Sequence, residues 1–218
     1  YGYKTDGVFL TNDEVSQWAD QSAIAKGSVA GDIRYVDVTG DGKVTVDDKT
    51  YLGSRIPKYT FGLNLGAEYK GFDFSMLLQG VAGVKGYMSL FAGHAFYQEG
   101  SIQKWQMENC WNVQTSNRYP EYPRLEVMSN AGSNNTLTSD YWVIDASFVK
   151  VRNIQLGYTL PETLTKKFGS SGLRVYLSLD NPFTFSSYRK GWDPENTNNN
   201  AQYYPTLSTY TLGLSLKF

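Results

Sequence analysis

The chain has 218 residues, and its 20 Lys and Arg against 21 Asp and Glu leave a formal charge of −1, so electrostatics draws it to neither nucleic acid nor an anionic surface. A single cysteine, Cys110, and a single histidine, His94, exclude an intrachain disulfide, a four-cysteine zinc site and any paired-histidine metal site within the chain. With a mean hydropathy of −0.41 and no apolar run of about 18 residues a transmembrane helix is excluded, whereas membrane strands, half of whose residues face a polar side, are not.

Weak helical spacing between Val8 and Lys26, opening at Asn12-Asp13-Glu14, predicts a short capped helix. Next comes an Asp-rich stretch, residues 37–48, with the spacing of an EF-hand-like calcium loop. Side-chain oxygens stand at positions 1, 3 and 5 (Asp37, Thr39, Asp41), glycine at 6 (Gly42), a backbone carbonyl at 7 (Lys43), an apolar residue at 8 (Val44) and a carboxylate at 12 (Asp48). A hard cation needs six or more oxygens at ~2.4 Å, and only a chain reversing at Gly42 brings them to one point. The neutral Thr39 and the short Asp48 predict weak Ca2+ binding, in the ~10⁻⁴–10⁻³ M range of extracellular modules. The alternative is an Asp-Gly turn between short strands at 32–37 and 44–46, with no metal.

From Thr60 the period is two. Phe61, Leu63, Leu65, Ala67 and Tyr69 alternate with Gly62, Asn64, Gly66 and Glu68, a tight turn falls at Lys70-Gly71, and Phe72, Phe74, Met76 and Leu78 alternate with Asp73, Ser75 and Gln79. This is a hairpin. Residues 83–141 read as a long loop with a short helix near 102–112. Alternation returns with Ile154, Leu156, Tyr158 and Leu160. Val149 and Val151 sit on the opposite parity, which predicts a bulge at Arg152 or Asn153. Leu173, Val175, Leu177 and Leu179 form a further strand, residues 181–206 an irregular stretch containing the Asn-rich run 196–200, and Tyr210, Leu212, Leu214, Leu216 and Phe218 the last and clearest strand.

Five strands thus emerge, joined by short turns at one end and long loops at the other, the layout of an outer-membrane barrel. At ~3.3 Å per residue and a ~45° tilt, the last strand suits an apolar band ~25 Å tall. Aromatics at strand edges (Tyr69, Phe72, Phe74, Tyr158, Tyr210, Phe218) stand where an interfacial girdle would lie. The reading is all-β: a transmembrane antiparallel β-barrel wall with long extracellular loops. Its segments are 1–58, carrying the Asp loop, and 59–218, carrying strands with loops 83–141 and 181–206. Polar residues Asn64, Glu68, Gln79, Asn153, Gln155 and Arg174 would face the lumen. Five strands cannot close a barrel, and a membrane tolerates no open edge, so the chain is expected to be a piece of a larger barrel. The competing fold is a soluble β-sandwich with its apolar faces packed together.

Catalytic patterns are absent. No nucleophile elbow or phosphate-cradling glycine loop occurs, and Gly80 to Gly86 lacks the strand-to-helix setting. Trp105, Trp111, Tyr119 and Tyr122 suit either sugar stacking or packing of the loop on itself. Two other functions compete with a membrane role: a soluble, calcium-stabilised, glycan-binding β-module, and a surface hydrolase using loop carboxylates.

Several stretches together resemble the C-terminal part of SusC/RagA-type TonB-dependent outer-membrane transporters: GDIRYVDVTGDGK at 31–43, PKYTFGLN at 57–64, YKGFDFS at 69–75, QGVAG at 79–83, YPRL at 122–125, SDYWVIDASF at 139–148, VRNIQLGYTLP at 151–161, DNPFTF at 180–185 and TYTLGLSLKF at 209–218. Thr39 and the Asp180-Asn181-Pro182 run depart from the family pattern. The resemblance implies a 22-stranded, plugged barrel of the cell outer membrane, of which this chain supplies the last five strands. It also implies import of large nutrients, oligosaccharides or peptides, without chemical alteration. Implied partners are a SusD-like surface lipoprotein acting as a lid, the TonB complex reached through a plug absent from these residues, outer-membrane lipids, and the assembly machinery, which would read Phe218 as its signal.

Overall fold

The structure, a computed structural model, describes residues 1–127, 133–189, 191–196, 203–204 and 206–218. Most of the Asn-rich run, 197–200, lies outside them. The strands among the described residues are β1 (Thr5–Val8), β2 (Ile33–Tyr35), β3 (Tyr59–Tyr69), β4 (Phe72–Ala82), β5 (Lys85–Tyr87), β6 (Val143–Asp145), β7 (Phe148–Thr159), β8 (Gly172–Ser186) and β9 (Thr209–Lys217). No helix among the described residues is long and apolar enough to cross a membrane.

The five long strands form one antiparallel sheet in the order β3-β4-β7-β8-β9. Its first turn fixes the register. Lys70 and Gly71 both take positive φ, 49° and 86°, the two-residue turn whose twist matches that of the flanking strands. Tyr69 then pairs with Phe72, and each β3 residue back to Tyr59 meets its β4 partner without a slip. On β7 the expected bulge is present: Leu77 faces Asn153 while Leu78 faces Val151, leaving Arg152 as the extra residue. That one insertion returns Val149 and Val151 to the face carrying Ile154 and Leu156.

Strand β8 departs from expectation. It was to end near Asp180 in an irregular stretch, yet it runs on to Ser186. Across the gap between Val151 and Asn153 it spends two residues, Asn181 and Pro182. Asn181 takes φ 49°, and the bulge leaves Pro182 out of the ladder, where its missing N–H costs nothing.

The sheet has two unlike faces. Cross-strand pairs Leu63↔Leu78, Phe74↔Leu156, Leu156↔Leu177 and Leu177↔Leu212 place the apolar set on one side. No second layer covers that side among the described residues, and Leu212 and Leu214 stay 76% and 72% exposed. The apolar faces therefore do not close on one another as in a sandwich.

Residues 1–53 and 86–144 make a separate compact unit, and the sheet belongs to a second unit of 54–85, 145–196 and the C-terminal residues. The span 83–141, expected to be loop, mostly packs with the N-terminal residues instead. Its pieces supply Met88, Trp111 and Tyr122 to a buried core shared with Tyr3, Val8, Ile33, Tyr35, Val44 and Trp142. Ring edges lock these together, Tyr122 to Trp142 at 5.6 Å and Tyr3 to Tyr35 at 5.6 Å. Within the unit β1 pairs with β2, whereas residues 44–45, part of the second strand of the metal-free alternative, belong to no strand and lead into the 3-10 turn Val46–Asp48. The expected helices are short: Asn12–Gln17, capped by Thr11, and Lys104–Asn109. β5 pairs with β6 in a two-stranded ribbon.

Candidate functional site: the polar face of the sheet and the Asp loop

The register gathers Asn64, Gln79, Asn153, Gln155 and Arg174 on one face, opposite the leucines. The side chains there bond to one another. Arg174 forks onto both oxygens of Asp73 and reaches Gln155 at 3.3 Å, while Asn153 donates to Ser178 and Asp180 at 3.0 and 2.8 Å. Further along, the bulge residue Arg152 reaches the same polar face. Its guanidinium pairs with Glu195 and donates to Gln79 at 2.8 Å and Asn181 at 3.3 Å. Beside it the Lys150 ammonium, almost fully buried, contacts Asp193 at 2.6 Å and Glu195 at 2.8 Å. Burial pushes both carboxyls up, but the hydrogen bonds from Lys150, joined by Arg152 at Glu195, outweigh it and hold both below their ordinary values. The pairing of these four residues was not legible in the sequence, because the partners lie more than forty positions apart.

The Asp loop closes through its own backbone. Asp37 accepts from Gly40 N and Gly42 N at 2.6 and 2.7 Å, and Asp41 accepts from Lys43 N at 2.9 Å. Asp48 is fully buried and accepts from Val38 N, Thr39 N and Thr45 N at 2.8, 2.9 and 2.7 Å. The Thr39 hydroxyl lies 3.2 Å from Asp37 and 3.1 Å from Asp48. So Asp37, Thr39 and Asp48 are brought together, while Asp41 is spent on its own turn. No group of three or more His, Cys, Asp or Glu side chains among the described residues is gathered as a metal site. The donor set therefore fits a cation poorly as arranged, since Asp48 would have to leave its amides to ligate one.

Burial raises the Asp48 carboxyl and the three amides more than reverse this, bringing it down to about 2. A carboxyl lowered on folding stabilises above its unfolded value of ~3.9, and the gain is lost as pH falls toward 2. That gap corresponds to about 2 kcal/mol of local stability. Pepsin should therefore cut residues 37–48 faster at pH 2 than at pH 4 in the wild-type chain and at similar rates in Asp48→Asn. A rate in the wild type that ignores pH would count against this clasp.

The remaining candidates separate. His94 accepts from Leu90 N at 3.2 Å and is buried against Trp142, and burial lowers it to about 4. Cys110 donates toward Met107 O. Trp111 and Tyr122 are core residues, and Tyr119 is exposed with its hydroxyl on Asp6 at 2.9 Å. Phe218 lies just past β9, 92% exposed.

An amphipathic antiparallel sheet, charged on one face and bare and apolar on the other, defines the class. TonB-dependent receptor P3 of Formosa agariphila is 31% identical to this chain over 234 residues, covering all of the chain and 22% of the relative. TonB-dependent receptor SusC of Bacteroides thetaiotaomicron is 32% identical over 191 residues, covering 84% of the chain and 17% of that protein. The RagAB peptide importer in its closed-closed state shares the fold across the whole chain at a TM-score of 0.68 and 22% identity, again over 22% of the solved chain. No family model matches the sequence. The chain belongs to the SusC-type TonB-dependent receptors, and it spans about a fifth of the length of the curated relatives it matches.

Proposed function

We propose that this chain forms part of the wall of a transmembrane β-barrel, 22-stranded and plugged, in the cell outer membrane. The whole protein would be a TonB-dependent importer of large nutrients, oligosaccharides or peptides. The observation that carries this reading is the uncovered apolar face. A leucine- and phenylalanine-rich sheet surface is too large to leave in water at ~25 cal/mol per Å², and contiguous patches beyond a few hundred Å² mark interaction or membrane surfaces. In a barrel that face meets acyl chains and the charged face lines a wet lumen. The turn at 70–71 and the connection 160–171 would be periplasmic, and the longer connections 83–147 and 187–208 extracellular, where a SusD-like lipoprotein would dock. The TonB complex would act through a plug outside these residues. The relatives are named receptors and an importer, and no catalytic step is assigned.

The full-length protein should partition into detergent and take up its nutrient only with an energised TonB complex. Recovery as a monomer in plain buffer would overturn the reading in favour of the soluble glycan-binding module. Phe218 would be the assembly signal: Phe218→Ala is expected to lower the amount of folded protein in the outer membrane by several-fold, as read on a gel that separates heat-modified from unmodified barrels. Unchanged levels would leave Phe218 as one more lipid-facing side chain.

Ca2+ at Asp37, Thr39, Asp41, the Lys43 carbonyl and Asp48 is proposed as a weak, secondary feature, supported by spacing alone. Ca2+ should slow proteolysis of residues 37–48 relative to chelator if an ion binds. Equal rates would leave the backbone clasp as the whole explanation.

A further inference from the structure

The four charges around the β7 bulge divide by origin. Both cations, Lys150 and Arg152, stand on the hydrogen-bonded sheet. Both anions, Asp193 and Glu195, come from one short stretch of the connection between β8 and β9, and that stretch is tied internally by Glu195 N donating to Asp193 at 3.0 Å. A rigid dibasic socket is thus filled by a dicarboxylate plug from a loop. With the loop in place the Lys150 side chain is only 3% exposed, and a buried ammonium needs an anion beside it. A solute anion that reaches Lys150 therefore competes with the two loop carboxylates.

The socket is also roomy. A cavity of about 210 Å³ adjoins it, lined from the sheet side by Lys150, Asn181, Thr184 and Ser208 and from the loop by Trp192 and by Asp193 itself. Thr184 is the cross-strand partner of Lys150 on the charged face. Once the loop carboxylates are drawn off, the Lys150 ammonium with the amide and hydroxyl groups around it, and the Arg152 guanidinium next to them, suit a carboxylate on a polar body.

From this juxtaposition we infer that Lys150 and Arg152 form a binding site for the carboxylate group of a solute, with Asp193 and Glu195 as its built-in competitor. Occupancy by solute displaces the stretch around Trp192 and so couples ligand to loop position. The inference rests on the charged face being wet, as proposed above, but its test reads binding rather than transport. A carboxylate can come from a peptide C-terminus or from a sugar acid, and the two are separated below.

Hydrogen exchange of residues 191–196 is followed in the full-length receptor in detergent. The probes are glutarate against its uncharged diamide, triglycine against its C-terminal amide, and galacturonate against galactose. Glutarate is expected to speed exchange about tenfold and the diamide to leave it unchanged. A matching response to triglycine or to galacturonate assigns the source. Lys150→Met should abolish the glutarate response. The double variant Asp193→Asn with Glu195→Gln keeps both cations and empties the socket, so its loop should exchange faster without any probe and its glutarate affinity should rise about tenfold. Should Lys150→Met not fold, the double variant decides alone. Equal exchange with glutarate and diamide, a glutarate response that survives Lys150→Met, or unchanged affinity in the double variant would each overturn the inference. Failure of uptake or of detergent partition would strike the importer reading and leave these binding results standing.

Discussion

Leu212→Arg should prevent or severely weaken assembly of the full-length protein in a bilayer, whereas Thr211→Arg, one residue away, should be tolerated. Leu212 sits mid-strand in β9 opposite Leu177, which is itself opposite Leu156, so it lies on the bare apolar face halfway between the two ends of its strand. An arginine facing lipid near the bilayer midplane costs about 2–4 kcal/mol, falling toward zero near the interfaces. Thr211 pairs with Ser178 on the other side, where a wet lumen would solvate the guanidinium. The readout is the urea midpoint for folding into vesicles, which should drop markedly for Leu212→Arg and move little for Thr211→Arg. Equal midpoints would mean that the two faces meet the same medium, and the barrel wall would fail as an explanation of this sheet.

What could be read from the sequence follows from how local its cause is. The five strands were legible because period two is imposed residue by residue, and the β7 bulge because a parity change between Val151 and Ile154 admits one structural cure. The extension of β8 was hidden by Pro182, which argues against a strand unless the partner strand also skips a residue, and that partner lies some thirty positions earlier. The unit built from residues 1–53 and 86–144 was hidden for a related reason. Tyr3, Tyr35, Tyr122 and Trp142 come from separate short segments without periodicity, so nothing local marks them as one core. The Asp loop was legible as spacing only, because the same carboxylates at the same positions serve equally to accept amides or to hold an ion. The Lys150 socket looked like one more polar residue in an alternating strand.

Asp32 illustrates the same limit with a larger energetic consequence. In the sequence it is only the first residue of a possible short strand at 32–37. In the structure its carboxylate is fully buried and accepts from Arg124 Nε at 2.5 Å, Asn135 Nδ2 at 2.8 Å and Val29 N at 3.0 Å. Arg124 also pairs with Glu126 at 2.6 Å. Asn135 in turn accepts from Ile33 N at 2.7 Å and lends its backbone carbonyl to Trp142 Nε1 at 2.8 Å. One carboxylate therefore ties the turn at 29–33 to two segments some hundred residues later and to the largest core side chain. Asp32→Ala strands a guanidinium edge, an amide and a backbone N–H around a small void, and breaking one partner of a buried charged pair costs about 3–5 kcal/mol. Removing Glu108 from its exposed pair with Lys104, by contrast, should cost no more than about 0.5 kcal/mol. Because the chain has two compact units, native-state hydrogen exchange of residues 29–35 and 133–136 is the suitable gauge rather than a single melting curve. Protection there should fall by at least a hundredfold in Asp32→Ala while strands β3 and β4 keep theirs. A loss below about tenfold would show that Arg124 and Asn135 find other partners, and that this buried carboxylate is dispensable to the unit.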